Sequence, residues 1–235
     1  MQAIVLAGGL GTRLRSVVTD LPKPMAPVAG RPFLAWILDR LAQAGFERVV
    51  LAVGYRHEAI QQHFGSTYRG MALHYSVEDR PLGTGGALRL AADHVSHWPV
   101  FVLNGDTFLE IDYRAMRESH VQGREQMSMA VCRVADAGRY GTLDLQEDHV
   151  RGFSEKGNVG PGFINAGAYL LSEAVLDRIP RGEPFSFEQQ LLVPEVSAIR
   201  PAAFATDGLF IDIGVPEDFA RAQHLFAPEG TSSRP

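Results

Sequence analysis

Two periods of apolar residues take turns along this chain. Short strand-like runs occur at Ala3 to Ala7, Arg48 to Val53, Leu73 to Val77, Val100 to Leu103 and Met127 to Val134. Their length and β-branched content predict buried strands. Between the first two runs, Pro32 stands at a helix start, Phe33, Ile37 and Leu41 follow at fourfold spacing, and Gly45 is placed to end the helix. Further helices are predicted over His57 to Phe64, Gly86 to His94, Tyr113 to Gln122 and Pro216 to Phe226. Strand and helix in alternation predict an α/β fold with a Rossmann-like, doubly wound mixed sheet, its ligand at the C-terminal ends of the strands.

After Val134 the rhythm shortens. Thr142 to Leu145, Val150 to Ser154 and Ala166 to Leu171 read as strands joined by glycine-rich turns. They predict a mixed-sheet portion that forms the second wall of a cleft. The expected organisation is one domain over residues 1–226, with halves at about 1–126 and 127–226. Residues 227–235, rich in Pro, Gly and Ser, read as a disordered tail.

Composition narrows the function. The chain has 235 residues, 46% of them hydrophobic and 21% charged, enough for one substantial core. A net charge of −5 and a pI near 5.9 argue against a nucleic-acid surface, which normally needs a basic stripe. No apolar run approaches the ~20 residues of a membrane span, and the N-terminus enters a strand without a basic leader, so a cytoplasmic location is expected. The single cysteine, Cys132, sits in an apolar strand-like run and reads as a core residue, which excludes an intrachain disulfide.

The candidate chemistry begins where the first strand ends. Leu6-Ala7-Gly8-Gly9-Leu10-Gly11-Thr12-Arg13-Leu14 is followed by Pro22-Lys23-Pro24-Met25. Three glycines let backbone N–H groups approach an anion, while Arg13 and Lys23 add the permanent charge that a triphosphate needs. No Gly-Lys-Ser/Thr follows at P-loop spacing, and the glycines run G-G-x-G, not G-x-G-x-x-G. Two acids end later strands: Asp106 in Val100-Phe-Val-Leu-Asn-Gly-Asp106, and Asp212 in Leu209-Phe-Ile-Asp-Ile-Gly214. Capping is the plain alternative for either, but two acids facing a polyphosphate suit one Mg²⁺. An apolar setting makes an unpaired Asp212 costly, so something cationic should meet it.

Glu78 opens Glu78-Asp-Arg-Pro-Leu-Gly-Thr-Gly-Gly-Ala-Leu88. A carboxylate accepts hydrogen bonds and so matches the N1–H and N2–H₂ edge of guanine. Uracil N3–H, or no ligand at all, remains open at this point. His94 and His97 lack a third ligand and read as surface residues, and no Ser or Cys has the partners of a covalent nucleophile.

G-G-x-G-T-R-L followed by P-K-P-M resembles the signature of the sugar-1-phosphate nucleotidyltransferases, also called nucleotide-sugar pyrophosphorylases, and the likeness runs from Ala3 to about Phe226. Many such proteins carry a C-terminal β-helix, for which this chain ends too soon. The resemblance implies a glycosyltransferase-A-like sheet, with the nucleotide held by Leu6, Ala7, Gly8, Gly9, Gly11, Thr12, Arg13 and Lys23. It places Glu78, Gly83 and Thr84 at the base, and the catalytic metal on Asp106 and Asp212. By the same resemblance Lys156 binds the sugar phosphate, Glu155 contacts sugar hydroxyls, and Gly141 and Asn165 line the sugar pocket.

The reaction so implied is attack by a sugar 1-phosphate oxygen on the α-phosphorus of a nucleoside triphosphate, expelling pyrophosphate. Arg13, Lys23, Asp106, Lys156 and Asp212 would be its catalytic set, and no general base is required because the nucleophile is already anionic. Within the family the opening segment most resembles the D-glycero-α-D-manno-heptose 1-phosphate guanylyltransferases, which implies GTP, a heptose 1-phosphate and a GDP-heptose for surface glycans. Mannose-1-phosphate guanylyltransferases and N-acetylmuramate-1-phosphate uridylyltransferases are the neighbouring alternatives. A catalytically silent sugar-nucleotide sensor on the same fold is the alternative of a different class, and a homodimer is compatible with a sequence that specifies no oligomeric state.

Overall fold

A computed structural model describes residues 1–9, 21–154 and 160–227. Its first half runs β1 (Gln2–Leu6), β2 (Pro27–Val28), β3 (Arg31–Pro32), α1 (Phe33–Gln43), β4 (Arg48–Val53), α2 (His57–Phe64), β5 (Thr67–Tyr68), β6 (Met71–Val77), α3 (Gly83–Ala91) and β7 (Val100–Asn104). There follow β8 (Thr107–Leu109), α4 (Tyr113–Gly123), β9 (Met127–Val134), β10 (Leu143–Gln146), β11 (His149–Phe153) and β12 (Gly162–Leu171). Last come α5 (Glu173–Leu176), a π-helical turn over Phe187–Leu192, α6 (Val193–Ile199), β13 (Ala202–Thr206), β14 (Phe210–Asp212) and α7 (Pro216–Leu225).

Ten strands join in one mixed sheet in the order β10-β11-β13-β9-β12-β7-β1-β4-β6-β5. The central strands β7, β1, β4 and β6 are parallel, joined by helical crossovers. Alternate side chains of β1 enter different cores: Ala3 and Val5 on one face, Ile4 on the other, all fully buried. Burial on both faces explains why β1, β4 and β7 read as nearly unbroken apolar runs, whereas the partly buried β6 carries His74, Tyr75 and Ser76. α1 lays Phe33, Leu34, Ile37, Leu38 and Leu41 against one face and ends ahead of Gly45, whose φ of +82° favours glycine.

Several expectations are corrected. The helix predicted from Gly86 begins at Gly83, and its last turn, Ala92–His94, is 3₁₀. The strands after Val134 form a mixed-sheet portion as expected, and they do so by extending the main sheet: β12 pairs antiparallel with both β7 and β9. β12 also starts earlier than predicted, at Gly162. The strand bearing Asp212 lies outside the main sheet, in a two-stranded ribbon with β8. Cys132 is buried, as its setting predicted. Among the described residues no helix is long and apolar enough to cross a membrane.

Candidate active site

The cleft opens where β1, β4, β6 and β7 end. Its depth depends on a close approach between the ends of β1 and β7, where Gly105 N–H donates to Leu6 O at 2.9 Å. A Cβ on Gly105 would stand 2.7 Å from that same oxygen, so only glycine fits. Two cavities adjoin here. One, of about 730 Å³, is lined by Leu6, Ala7, Gly8, Gly9, Gly54, Glu78, Gly83 and Thr84, among others. The other, of about 670 Å³, is lined by Tyr140, Gly141, Asn165, Gln189 and Asp212, among others. Gly9, Lys23, Asn104, Asp106 and Glu188 face both cavities and form the seam between them.

The seam carries the charge. Pro22 and Pro24 flank Lys23 in a 3₁₀ turn whose Pro24 and Met25 are buried, so the lysine is presented on a rigid base. Its ammonium forms an ion pair with Asp106 Oδ2 and lies 3.9 Å from Asp212 Oδ1. The ribbon register explains why the two acids meet: Asp212 pairs with Thr107, and Ile213 N–H donates to Asp106 O at 3.0 Å. Burial pushes the Asp212 carboxyl above its ordinary pKa, Asp106 adds to the rise, and Lys23 and the Gly214 N–H oppose it. A cation therefore does meet Asp212, but it is Lys23, which the sequence assigned to the triphosphate. Among the described residues no cluster of three or more His, Cys, Asp or Glu surrounds an ion site. Two converging carboxylates already bridged by an ammonium do suit Mg²⁺, which binds through one or two carboxylates plus substrate phosphates.

Glu78 sits at the end of β6. Its Oε2 accepts from Leu82 N–H at 3.0 Å, and burial raises its pKa while that hydrogen bond lowers it. Its Oε1 packs against the backbones of Gly8 and Gly54, where added Cβ atoms would lie at 3.0 and 2.6 Å. Gly83 lines the first cavity, and the glycines of its turn are also tightly packed. Cβ atoms on Gly83 and Gly85 would meet Phe185 at 2.8 and 2.6 Å, and one on Gly86 would meet Glu183 O at 2.7 Å. They make room for another part of the chain.

On the far side of the seam, Asn165 is held by its neighbours. Its Nδ2 donates to Tyr169 Oη at 2.8 Å, and its Oδ1 accepts from Gly167 N–H at 3.0 Å. These bonds close an irregularity in the β12 to β9 register, with Gly167 at φ +71° against Asn104. Tyr169 Oη in turn donates to Glu188 Oε1 at 3.2 Å. The Arg139 to Gly141 turn is anchored by α7, where Asp218, nearly buried, forms an ion pair with Arg139 and receives a 3.4 Å hydrogen bond from Tyr140 Oη.

Of the residues singled out from the sequence, Gly11, Thr12, Arg13, Glu155 and Lys156 lie outside the described residues. The rest converge on this one cleft. Sequence reasoning missed Asn104, Tyr169, Glu188 and Asp218. Asn104 could have been read from its place at the strand end before Asp106. The others reach the site from elements whose positions only the packing specifies.

The chain matches the Nucleotidyl transferase family model over residues 2–228. It is 42% identical to the D-glycero-alpha-D-manno-heptose 1-phosphate guanylyltransferase of Aneurinibacillus thermoaerophilus, over 95% of this chain and 97% of that protein. The protein of that name in Campylobacter jejuni is 41% identical, over 93% of this chain and 97% of its own length. The crystal structure of HddC from Yersinia pseudotuberculosis complexed with GMP-PN superposes with a TM-score of 0.86 at 37% identity, covering 96% of this chain and 99% of that one. With the strand order and the paired aspartates already in place, these likenesses establish that the chain belongs to the nucleotidyl transferase family.

Proposed function

We propose that the protein transfers the guanylyl group of GTP to D-glycero-α-D-manno-heptose 1-phosphate, giving GDP-heptose and pyrophosphate. The observation that carries this reading is the Lys23, Asp106 and Asp212 cluster standing at the seam of two cavities of nearly equal size. Reaction at a phosphorus atom shared by two substrates calls for such a place. The heptose and the guanine follow the two bacterial relatives named above.

In this reading the first cavity takes the nucleotide. Glu78 accepts hydrogen bonds from guanine N1–H and N2–H₂, Gly83 and Thr84 flank the base, and Leu6 and Ala7 form the floor. The triphosphate lies over Gly8, Gly9, Gly11 and Thr12, with Arg13 and Lys23 offsetting its charge. The second cavity takes the sugar 1-phosphate: Lys156 holds its phosphate, while Glu155, Gly141 and Asn165 face its hydroxyls.

A phosphate oxygen of the sugar then attacks the α-phosphorus in line. The new P–O bond forms as the bond to pyrophosphate breaks, and no proton moves. The protein aligns three anionic groups and spreads charge as it redistributes. Mg²⁺ held by Asp106 and Asp212 would supply Lewis-acid neutralisation of the phosphate oxygens. Lys23, within reach of both aspartates, keeps them from repelling each other before the substrates arrive.

Pyrophosphate release from four nucleoside triphosphates, each paired with heptose, mannose, glucose and N-acetylmuramate 1-phosphates, tests the proposal. GTP with the heptose 1-phosphate is expected to give the highest kcat/KM. Preference for mannose 1-phosphate would overturn the sugar assignment, preference for UTP would overturn the base, and binding without turnover would make the chain a sensor.

A further inference from the structure

The turn after Glu78 is clasped by a segment from the other half of the chain. Phe185 N–H donates to Leu82 O at 2.8 Å, and Phe185 O accepts from Gly85 N–H at 2.8 Å and Gly86 N–H at 3.2 Å. Arg80 Nη2 reaches Gly182 O at 2.8 Å, and Phe187 N–H donates to Thr84 Oγ1 at 2.9 Å. The clasp leads directly into the π-helical turn Phe187–Leu192. Phe187 packs its buried ring edge-on against Tyr169 at 5.2 Å. The next residue, Glu188, turns into the cleft, takes the Tyr169 hydroxyl and lines both cavities; Gln189 lines the second.

The hydrogen bond from Phe187 carries the inference. The first N–H groups of a helical segment have no partner within it and are ordinarily capped by the residue that precedes it. Here Ser186 Oγ takes the Gln189 N–H at 3.2 Å, while the Phe187 N–H goes to a hydroxyl of the base-side turn. Thr84 thus supplies, from the nucleotide half, a cap for the element that walls the sugar side. Displacing this hydroxyl frees the start of that element and, one residue on, Glu188.

We propose that Thr84 is a positioning residue for the sugar 1-phosphate: by capping Phe187 it seats Glu188 at the seam, so the base turn and the wall of the second cavity hold one another in register. This rests on the second cavity being the sugar side.

The test uses the full chain as wild type, Thr84→Val, Thr84→Ser and Glu188→Gln. Valine keeps the shape of threonine and removes the acceptor, a loss on the scale of one hydrogen bond. KM for the sugar 1-phosphate is expected to rise about fivefold or more, and by a larger factor than KM for GTP, which Thr84 also touches as a flank of the base. Serine is expected to restore the wild-type value, and valine added to Glu188→Gln to raise the sugar KM no further. Hydrogen exchange of the 187–192 amides, read without substrate, is expected to quicken in Thr84→Val. A rise in the GTP KM with the sugar KM unmoved, or neither moving, would overturn the proposal, as would unchanged exchange. If wild type turns over no sugar phosphate, the assigned substrates are at fault, and the exchange measurement still decides the cap.

Discussion

Glu78 Oε1 occupies the space that a side chain on residue 54 would need: a Cβ on Gly54 would lie 2.6 Å from it, 3.0 Å from Cγ and 3.2 Å from Cδ. With Oε2 tied to Leu82 N–H, the carboxylate has one seat, at the end of β6 against the end of β4.

Gly54→Ala is therefore expected to displace the carboxylate and raise the GTP KM by about tenfold, on the scale of a charged hydrogen bond, while kcat falls less. Glu78→Gln keeps the shape but offers one acceptor oxygen in place of two, and is expected to weaken GTP preference without unfolding the chain. Steady-state kinetics with GTP, ATP and UTP check both. Unaltered discrimination in the two variants would remove Glu78 from base recognition.

Asp106→Asn and Asp212→Asn are each expected to lower kcat by about a thousandfold or more. Their effects on stability should differ from their effects on turnover. Asp212 holds its proton more tightly in the folded chain, through burial and then the Asp106 charge. Between the ordinary Asp pKa and this raised value the native state binds more protons than the unfolded state. The stability from this group is thus fully present at lower pH and is lost as pH rises through the raised value. Asparagine cannot ionise and can still accept from Gly214 N–H, a 2.7 Å bond in the wild type. Asp212→Asn should melt higher than wild type by on the order of 2 °C at pH 8, and by less at pH 4. Melting curves at the two pH values, read beside pyrophosphate release, provide the check.

Removal of divalent cations is expected to stop turnover while leaving the fold intact, because Lys23 already sits between the two acids as a counter-charge. Chelation followed by Mg²⁺ addition should restore the rate. Full activity after exhaustive chelation would count against a metal on Asp106 and Asp212.

Tyr169→Phe removes the hydroxyl that joins Asn165 to Glu188. The ring is fully buried, so the loss leaves two polar groups without this partner. A destabilisation of about 1–2 kcal/mol is expected, together with a higher sugar 1-phosphate KM, read by denaturant melts and kinetics. No change in either would mean that Asn165 and Glu188 keep their places unaided.

The central strands were legible in the sequence because strands buried on both faces are written as mostly apolar runs: Arg48–Val53 in the parallel half and Met127–Val134 beside β12 both have the predicted bounds. Residue types and local turns also pointed to Lys23, set between two prolines, and to Glu78, Asp106 and Asp212, since a carboxylate at or just beyond a strand end has few structural uses. β13 was not legible. Its sequence, Ala-Ala-Phe-Ala-Thr, carries little strand preference, and it is a strand because β9 offers it a partner edge. Likewise nothing local in the 83–86 turn announces that Phe185 packs against Gly83 and Gly85.

By itself, then, the sequence pointed to the candidate chemistry: a glycine-rich segment after a strand, two acids, the cations Arg13, Lys23 and Lys156, and a carboxylate suited to guanine, each encoded within a few neighbouring residues. Only the tertiary structure decided who meets whom. That Lys23 bridges Asp106 and Asp212, that Tyr169 reaches Glu188, and that Thr84 caps Phe187 are contacts between separate segments of the chain. Their geometry comes from strand register and packing, which no local pattern of residues encodes.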